Sequence, residues 1–500
     1  MTTTSSGSVA IIGGGFGGIA AAVNLLRRGI EDFTIFEAGE HPGGTWWHNR
    51  YPGCEVDIPS LCYSFSFMDY DWPSTHGTRD ELLAYTDAVV ERFGLLPRFR
   101  LGTRVVAAEW QGAEQEWLLE LAGGERQRFR FVISALGLLS DPRVPDWPGL
   151  EDFEGVALHT QEWDRAPDLA GKRVAVVGTG STAVQVVPGI AEEAEQVTVF
   201  QRQPGWILPK GERPYTEEER ERYRRSPWRF RLDRWKAFHA AFKPKGFQAG
   251  TPDNLATQEA CRGYIAAAIE DPATREAVTP DYPWGCKRPV FSTTFYPTLN
   301  RENVALVPRA VASVARSGVV DVDGVEHPAD VIVIGTGFKP TSFLSTLEVR
   351  GPGGREIHDA WGDRPTAYLG VTVPGFPNLF ILYGPNTNGG YAITSMLERQ
   401  AEVAARRIRR AIRRDATVDT DPRATARWTA WVERQIDEHM SAGNHPGCTN
   451  YYHSPSGANV TQWPLSAFQY WRVTRFPAPG AFRYARRRAA AQPGGPSVSR

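Results

Sequence analysis

Two glycine clusters, each directly after a short apolar run, are the residues of this 500-residue chain whose types and spacing most directly specify chemistry. The first is Gly13-Gly14-Gly15-Phe16-Gly17-Gly18 after Ser8-Val-Ala-Ile-Ile12; the second is Gly178-Thr179-Gly180-Ser181 after Arg173-Val-Ala-Val-Val177. In a strand–turn–helix unit such glycines permit the tight turn, let the backbone approach a pyrophosphate, and let helix pack on strand. The next strand, Phe33 to Glu37, ends in a carboxylate 24 positions beyond Gly13, and 24 positions beyond Gly178 stands Arg202. A carboxylate at that place suits the free ribose hydroxyls of FAD or NAD, whereas a guanidinium favours a 2′-phosphate through a charge-assisted fork. The spacing therefore predicts FAD on Gly13, Gly15, Phe16, Gly18 and Glu37, and NADPH on Gly178, Thr179, Gly180, Ser181 and Arg202.

The rest of the composition bounds the partners. Fifty-six Lys and Arg against 57 Asp and Glu leave a formal net charge of -1, which gives no general attraction to nucleic acid or anionic membrane. No apolar run approaches a membrane span, and Met1 to Ser8 lacks the pattern of a signal peptide, so a cytoplasmic protein with a short disordered lead is expected. The cysteines Cys54, Cys62, Cys261, Cys286 and Cys448 show neither CxxC nor metal spacing, so no metal site and five reduced thiols are expected. Sixteen Trp and 24 Phe are more than cores usually need, and some should line a pocket.

Such a chain has room for about three domain-sized units. Residues 79–97 read as an amphipathic helix, 99–133 as alternating strands, and Val132–Gly137 as a buried strand that turns into a linker. From about 211 to 282 the chain becomes charged and then aromatic and basic at helical spacing, with Pro227 separating two pieces. This helical insert either caps an active site or forms a packed satellite pair, with a membrane-surface role as a third reading. A helix follows from about Ile393 to Arg414; its Arg-rich face (Arg406, Arg407, Arg409, Arg410, Arg413, Arg414) is expected to be solvated, and 486–500 to be a disordered tail.

Phe153-Glu-Gly-Val-Ala-Leu-His159-Thr-Gln-Glu-Trp163-Asp164 lies between the two glycine units. It resembles the FxGxxxHxxxW(P/D) stretch of type I Baeyer–Villiger monooxygenases, a branch of the class B flavin-dependent monooxygenases. Gly43-Gly44-Thr45-Trp46 through Tyr51-Pro52-Gly53 to Asp57 is similar to a second motif of that family, GGxWxxxxYPGxxxD. Lys287-Arg288 resembles its KR pair, and Gly335-Thr-Gly337-Phe338 its ATGF return strand, with Gly335 in place of Ala. The resemblance covers nearly the whole chain. It implies an α/β fold of two dinucleotide-binding, Rossmann-like domains, with the NADP domain inserted in the FAD domain. The expected units are 1–165, 166–335 with the helical insert, and 336–500.

By the same resemblance Gly44, Thr45 and Trp46 contact cofactor, Tyr63 hydrogen-bonds flavin or its phosphates, and Val106 joins the cofactor contacts. Lys287 meets the NADP phosphate and Arg288 faces the flavin. Asp57 lies near the flavin edge and orients Arg288. The implied activity is insertion of one oxygen atom of O2 beside a ketone or aldehyde carbonyl, through a flavin C4a-peroxide that Arg288 keeps deprotonated. The Trp/Tyr-rich stretch after Asn450 corresponds to a segment that folds over NADP, with Tyr451 at an aromatic contact. His159 is read as an orienting or hinge residue of a linker, not an acid/base. His48 and Gln203 depart from the family pattern beside the two nucleotide sites. A same-fold sulfur or nitrogen oxygenase and a non-turnover flavin/NADP redox sensor are the competing readings.

Overall fold

The computed structural model describes residues 7–241, 244–389, 392–448 and 450–487; of 239–241, 244 and 245 only the backbone is described. The expected N-terminal lead to residue 6 and the tail from residue 488 lie outside these residues.

Two five-stranded, fully parallel sheets organise the chain. The first runs Leu379–Ile381, Phe131–Ser134, Val9–Ile12, Phe33–Phe36, Phe99–Arg100. Its inner strands are mostly apolar, as burial on both faces requires: Val9 to Ile12 are at most 2% exposed. The second runs Val304–Val307, Gln196–Phe200, Arg173–Val177, Val331–Ile334, Val156–His159. Because Leu379–Ile381 pairs with Phe131–Ser134, residues beyond the second sheet complete the first. The second unit is thus inserted in the first, as an α/β fold with two Rossmann-like sheets.

The tight turns have a steric origin. Gly13 sits at φ +108, and a Cβ on it would lie 2.5 Å from the Ala135 carbonyl oxygen; one on Gly18 would lie 1.9 Å from the Gly13 oxygen. The helix Phe16–Leu26 can therefore start against its own strand, and the long helix Ile393–Arg413 packs along it. Ala20 and Ala21 on one helix and Ala401, Ala404 and Ala405 on the other are fully buried.

Several expectations change. Residues 79–97 form a helix only over Arg79–Arg92, opened by a Thr78/Glu81 capping box; Gly94 at φ +58 ends the run, and a short 3-10 turn follows at Leu96–Arg98. The stretch read as a linker contains Val156–His159, an edge strand of the second sheet in register with Val331–Ile334. Four residues are too few for an alternating pattern to stand out, and the pairing that defines the strand comes from residues far along the chain. The Arg-rich helix face is not simply solvated. Arg406 donates to the Thr474 carbonyl, Arg407 lies over Phe482, and Arg410 and Arg414 over Tyr484. The insert is helical, as Glu217–Arg225, Pro227–Ala241, Pro252–Ala268 and Pro272–Val278, with Pro227 as the first residue of its helix.

The cysteines bring a further correction. Cys286 and Cys448, 162 residues apart, form a disulfide, while Cys54, Cys62 and Cys261 remain free. Their spacing carried no signal because the bond joins segments that meet only in the folded chain. Among the described residues no cluster of His, Cys, Asp or Glu could hold a metal, and no helix is long and apolar enough to cross a membrane.

Candidate active site

Between the two sheets lies a cavity of about 1070 Å³. Gly13, Gly15, Phe16, Glu37, Gly44, Thr45, Trp46, Asp57, Tyr63, Ser181 and Arg288 all line it. At its first end Glu37, 5% exposed, accepts the Gly14 amide at 2.6 Å and the Gly39 amide at 2.7 Å, with His48 Nε2 3.6 Å away. Burial alone would raise this carboxyl's pKa; His48 and the two amides outweigh it and bring the pKa below the usual glutamate value. Glu37 is thus a held carboxylate, fit to accept two ribose hydroxyls. His48, a departure at the sequence level, is its neighbour.

The double glycine Gly43-Gly44 packs back to back on the first turn, since a Cβ on Gly44 would lie 2.9 Å from Gly15 Cα. Trp46 and Phe16 flank Tyr63 with ring centroids at 5.6 and 5.4 Å, and burial pushes the Tyr63 hydroxyl up to about 12, keeping it a neutral donor. Two residues fall elsewhere. Gly18 packs on Gly13 rather than facing the cavity, and Val105, not Val106, reaches the lining because alternate strand residues point to opposite faces.

The Tyr51-Pro52-Gly53 turn joins the two units. Gly53 sits at φ +75, where a Cβ would be 2.5 Å from the Gln185 carbonyl oxygen, and a Cβ on Gly189 would meet Pro52 at 2.8 Å. Gln185, on the helix Ala183–Ile190 of the second unit, accepts from the Tyr51 hydroxyl at 3.1 Å and donates to the Glu55 carbonyl at 3.0 Å. The loop so fixed carries Asp57, whose Oδ2 accepts from Arg288 Nη2 at 3.2 Å and Ser181 Oγ at 3.5 Å. The exposed part of Arg288 opens onto the cavity that it lines. Desolvation works against its charge, but the facing oxygens of Tyr451, Asp57 and Tyr383 more than offset this, and its pKa lies above the ordinary arginine value. Arg288 is a cation held ready at the junction.

The second turn repeats the first. Gly178 at φ +119 would place a Cβ 2.6 Å from the Gly335 oxygen, while Gly180 has open space beside it, as close approach of a ligand backbone needs. Gly178, Thr179, Gly180, Arg202 and Lys287 stand outside the cavity lining, toward its rim. Lys287 lies 5.2 Å from the Tyr282 ring, and burial, then the adjacent Arg202 charge, pull its pKa down to about 8. No carboxylate among the described residues lies within ion-pair distance of either cation. Two cations brought together, with Asp281 acting on Lys287 only from beyond ion-pair distance, fit a phosphate.

His159 Nδ1 accepts the Gln161 amide at 3.2 Å, so Nε2 carries the proton and donates to the Gly337 carbonyl at 3.1 Å. Burial lowers its pKa. Both ring nitrogens are thus spent on holding the segment in place. Sequence reasoning missed Gln185, the buried Lys210–Glu55 pair at 2.7 Å, and Tyr383 and Tyr452 beside Arg288. The aromatic run after Asn450 hinted at Tyr452; nothing local marks Lys210.

With this geometry in view, similarity to known proteins decides the family. Residues 6–216 match the family model described as flavin-binding monooxygenase-like. A Baeyer–Villiger monooxygenase of Streptomyces coelicolor is 39% identical over 474 residues, covering 93% of this chain and 90% of its own. The chain belongs to the Baeyer–Villiger monooxygenase family. Cyclohexanone monooxygenase from Rhodococcus sp. Phi1 bound to NADP+ has a similar structure, with TM-score 0.84 and 32% identity over 96% of this chain and 99% of that one. OTEMO in complex with FAD and NADP gives TM-score 0.87 at 27% identity, covering 97% of this chain and all of the other. This family member is an NADPH-dependent flavin monooxygenase, with FAD and NADPH as its cofactors.

Proposed function

We propose that the protein inserts one atom of O2 beside the carbonyl of a ketone or aldehyde, giving an ester or lactone. The observation that carries this reading is the Arg288–Asp57 contact of 3.2 Å, which joins the two nucleotide units on the wall of the shared cavity. FAD belongs on the Gly13 turn, Glu37, Thr45, Trp46 and Tyr63; NADPH belongs on the Gly178 turn, with its 2′-phosphate on Arg202 and Lys287. When bound, the two cofactors supply the reducing equivalents that activate O2.

The chain's own contribution is electrostatic and geometric. Arg288 presents a fixed positive charge where negative charge develops, in a site whose low dielectric strengthens it. Asp57 orients that guanidinium and stabilises its protonated form. Ile393, the first residue of its helix, lines the cavity, so the positive end of that helix dipole adds favourable potential there. Aromatic walls that include Phe247, Trp284, Phe291 and Tyr452 exclude water and suit an apolar carbonyl compound.

The test is oxidation of a panel of cyclic and linear ketones under 18O2 with NADPH. One labelled oxygen in the ester or lactone is expected. Arg288→Ala should still oxidise NADPH but form no ester. Ester formation at the normal rate in that variant would remove Arg288 from the assigned role, and unlabelled product in the wild type would refute the reading altogether.

A further inference from the structure

The Arg202/Lys287 rim is fastened to the C-terminal segment on both sides. Gln203, next to Arg202, donates from Nε2 to the Gly447 carbonyl at 3.1 Å. Cys286, next to Lys287, is bonded to Cys448, with the Cα atoms 5.5 Å apart. Asn450 adds two donations at 3.1 Å, to the Cys286 and Gly443 carbonyls. Tyr451 and Tyr452, directly after it, face Arg288. Gly447, Cys448, Asn450, Tyr451 and Tyr452 thus touch both phosphate-site neighbours and the cavity cation.

The two ends of the disulfide differ. Cys286 is fully buried in a cluster with Trp206, Tyr282, Trp284 and Cys261, and Trp206 Nε1 holds the Tyr282 carbonyl at 2.8 Å. This end stays fixed whatever the state of the bond. Cys448 is only partly buried and follows exposed Pro446 and Gly447. After reduction, the polar ties between this segment and the rim neighbours that remain among the described residues are the Gln203–Gly447 and Asn450–Cys286 hydrogen bonds.

We propose that the Cys286–Cys448 disulfide is a redox-modification site that straps the C-terminal segment over the Arg202/Lys287 rim, and that a dithiol opens the strap and speeds release of the bound nucleotide. The inference rests on reading Arg202 and Lys287 as the 2′-phosphate site. A dithiol thiolate attacks the accessible Cys448 sulfur, the S–S bond breaks, and Cys286 leaves as thiolate and takes a proton. The second thiol of the reductant then displaces Cys448 as a thiol. Two electrons and two protons pass to the protein, and the reductant ends as a disulfide.

The experiment uses the full-length holoenzyme, oxidised in air or reduced with dithiothreitol. Thiol titration after denaturation should find three free thiols in the oxidised protein, namely Cys54, Cys62 and Cys261, and all five after reduction. Dissociation of NADP+, followed by stopped-flow displacement, should become at least about threefold faster on reduction. Cys448→Ser should match the reduced protein without reductant, and Cys261→Ser should respond as the wild type does. Hydrogen exchange across 441–453 should rise on reduction, and this readout needs no assumption about the nucleotide. Five free thiols in the oxidised protein, a smaller change in release rate, or unchanged exchange would each overturn the strap. If Arg202→Ala kept the preference for NADPH over NADH while exchange still rose, the phosphate-site reading would fail and the strap would stand.

Discussion

Lys287 offers the most demanding test of the NADPH site. Burial and the Arg202 charge hold its pKa at about 8, so in the free protein it loses its charge as pH rises through that value. The sign follows from its being a base with a lowered pKa: the charged form, which the phosphate needs, is present below about 8 and must be restored by proton uptake above it. The KM for NADPH should therefore be flat from about pH 6.5, where a phosphate monoester is already mostly dianionic, to the bend at about 8. Above the bend it should rise about tenfold per pH unit, one unit being about 1.4 kcal/mol. NADH lacks the phosphate and should show no such bend, so the ratio of the two KM values removes effects common to both. Lys287→Met should flatten the ratio and raise the KM for NADPH about tenfold to a hundredfold at neutral pH, the loss of one charge-assisted bond of about 1.5–3 kcal/mol. Arg202→Ala should move the bend to higher pH, because one of the two causes of the depression is gone. Equal pH slopes for NADPH and NADH, or a bend near 8 that survives in Lys287→Met, would refute the assignment.

Two further outcomes follow from the seam between the units. Gly53→Ala forces a Cβ into left-handed backbone and to 2.5 Å from the Gln185 carbonyl oxygen, so it should cost about 2 kcal/mol or more. Thermal unfolding should start several degrees lower, and an unchanged melting temperature would show that the seam yields. His159 is neutral in the fold and lowered in pKa, so its contribution to stability is intact above the unfolded value of about 6.5 and declines as pH falls below it. His159→Gln should be less stable at neutral pH yet lose less stability between about pH 6.5 and 5, as chemical denaturation at several pH values would show; a parallel decline in both proteins would contradict the hydrogen-bonding scheme.

The sequence by itself determined the two strand–glycine turn–helix units, because a dinucleotide turn is a local device. Its glycines, the following strand and the strand-end Glu37 or Arg202 lie within some 25 residues of one another. A helix limit set by local chemistry, such as Pro227 at the first position of its helix, was legible for the same reason. The tertiary structure decided what depends on residues far apart. Val156–His159 became a strand only through Val331–Ile334. Cys286 found Cys448 across 162 positions, and the Arg-rich helix face met Phe482 and Tyr484. Asp57 and Arg288 were nameable from motifs, but a hydrogen bond of 3.2 Å between residues 231 apart needs the Gly53–Gln185 seam that docks one unit on the other. Short-range sterics write themselves into sequence patterns; pairings across the chain are fixed by burial and hydrogen bonding that exist only once both partners have arrived.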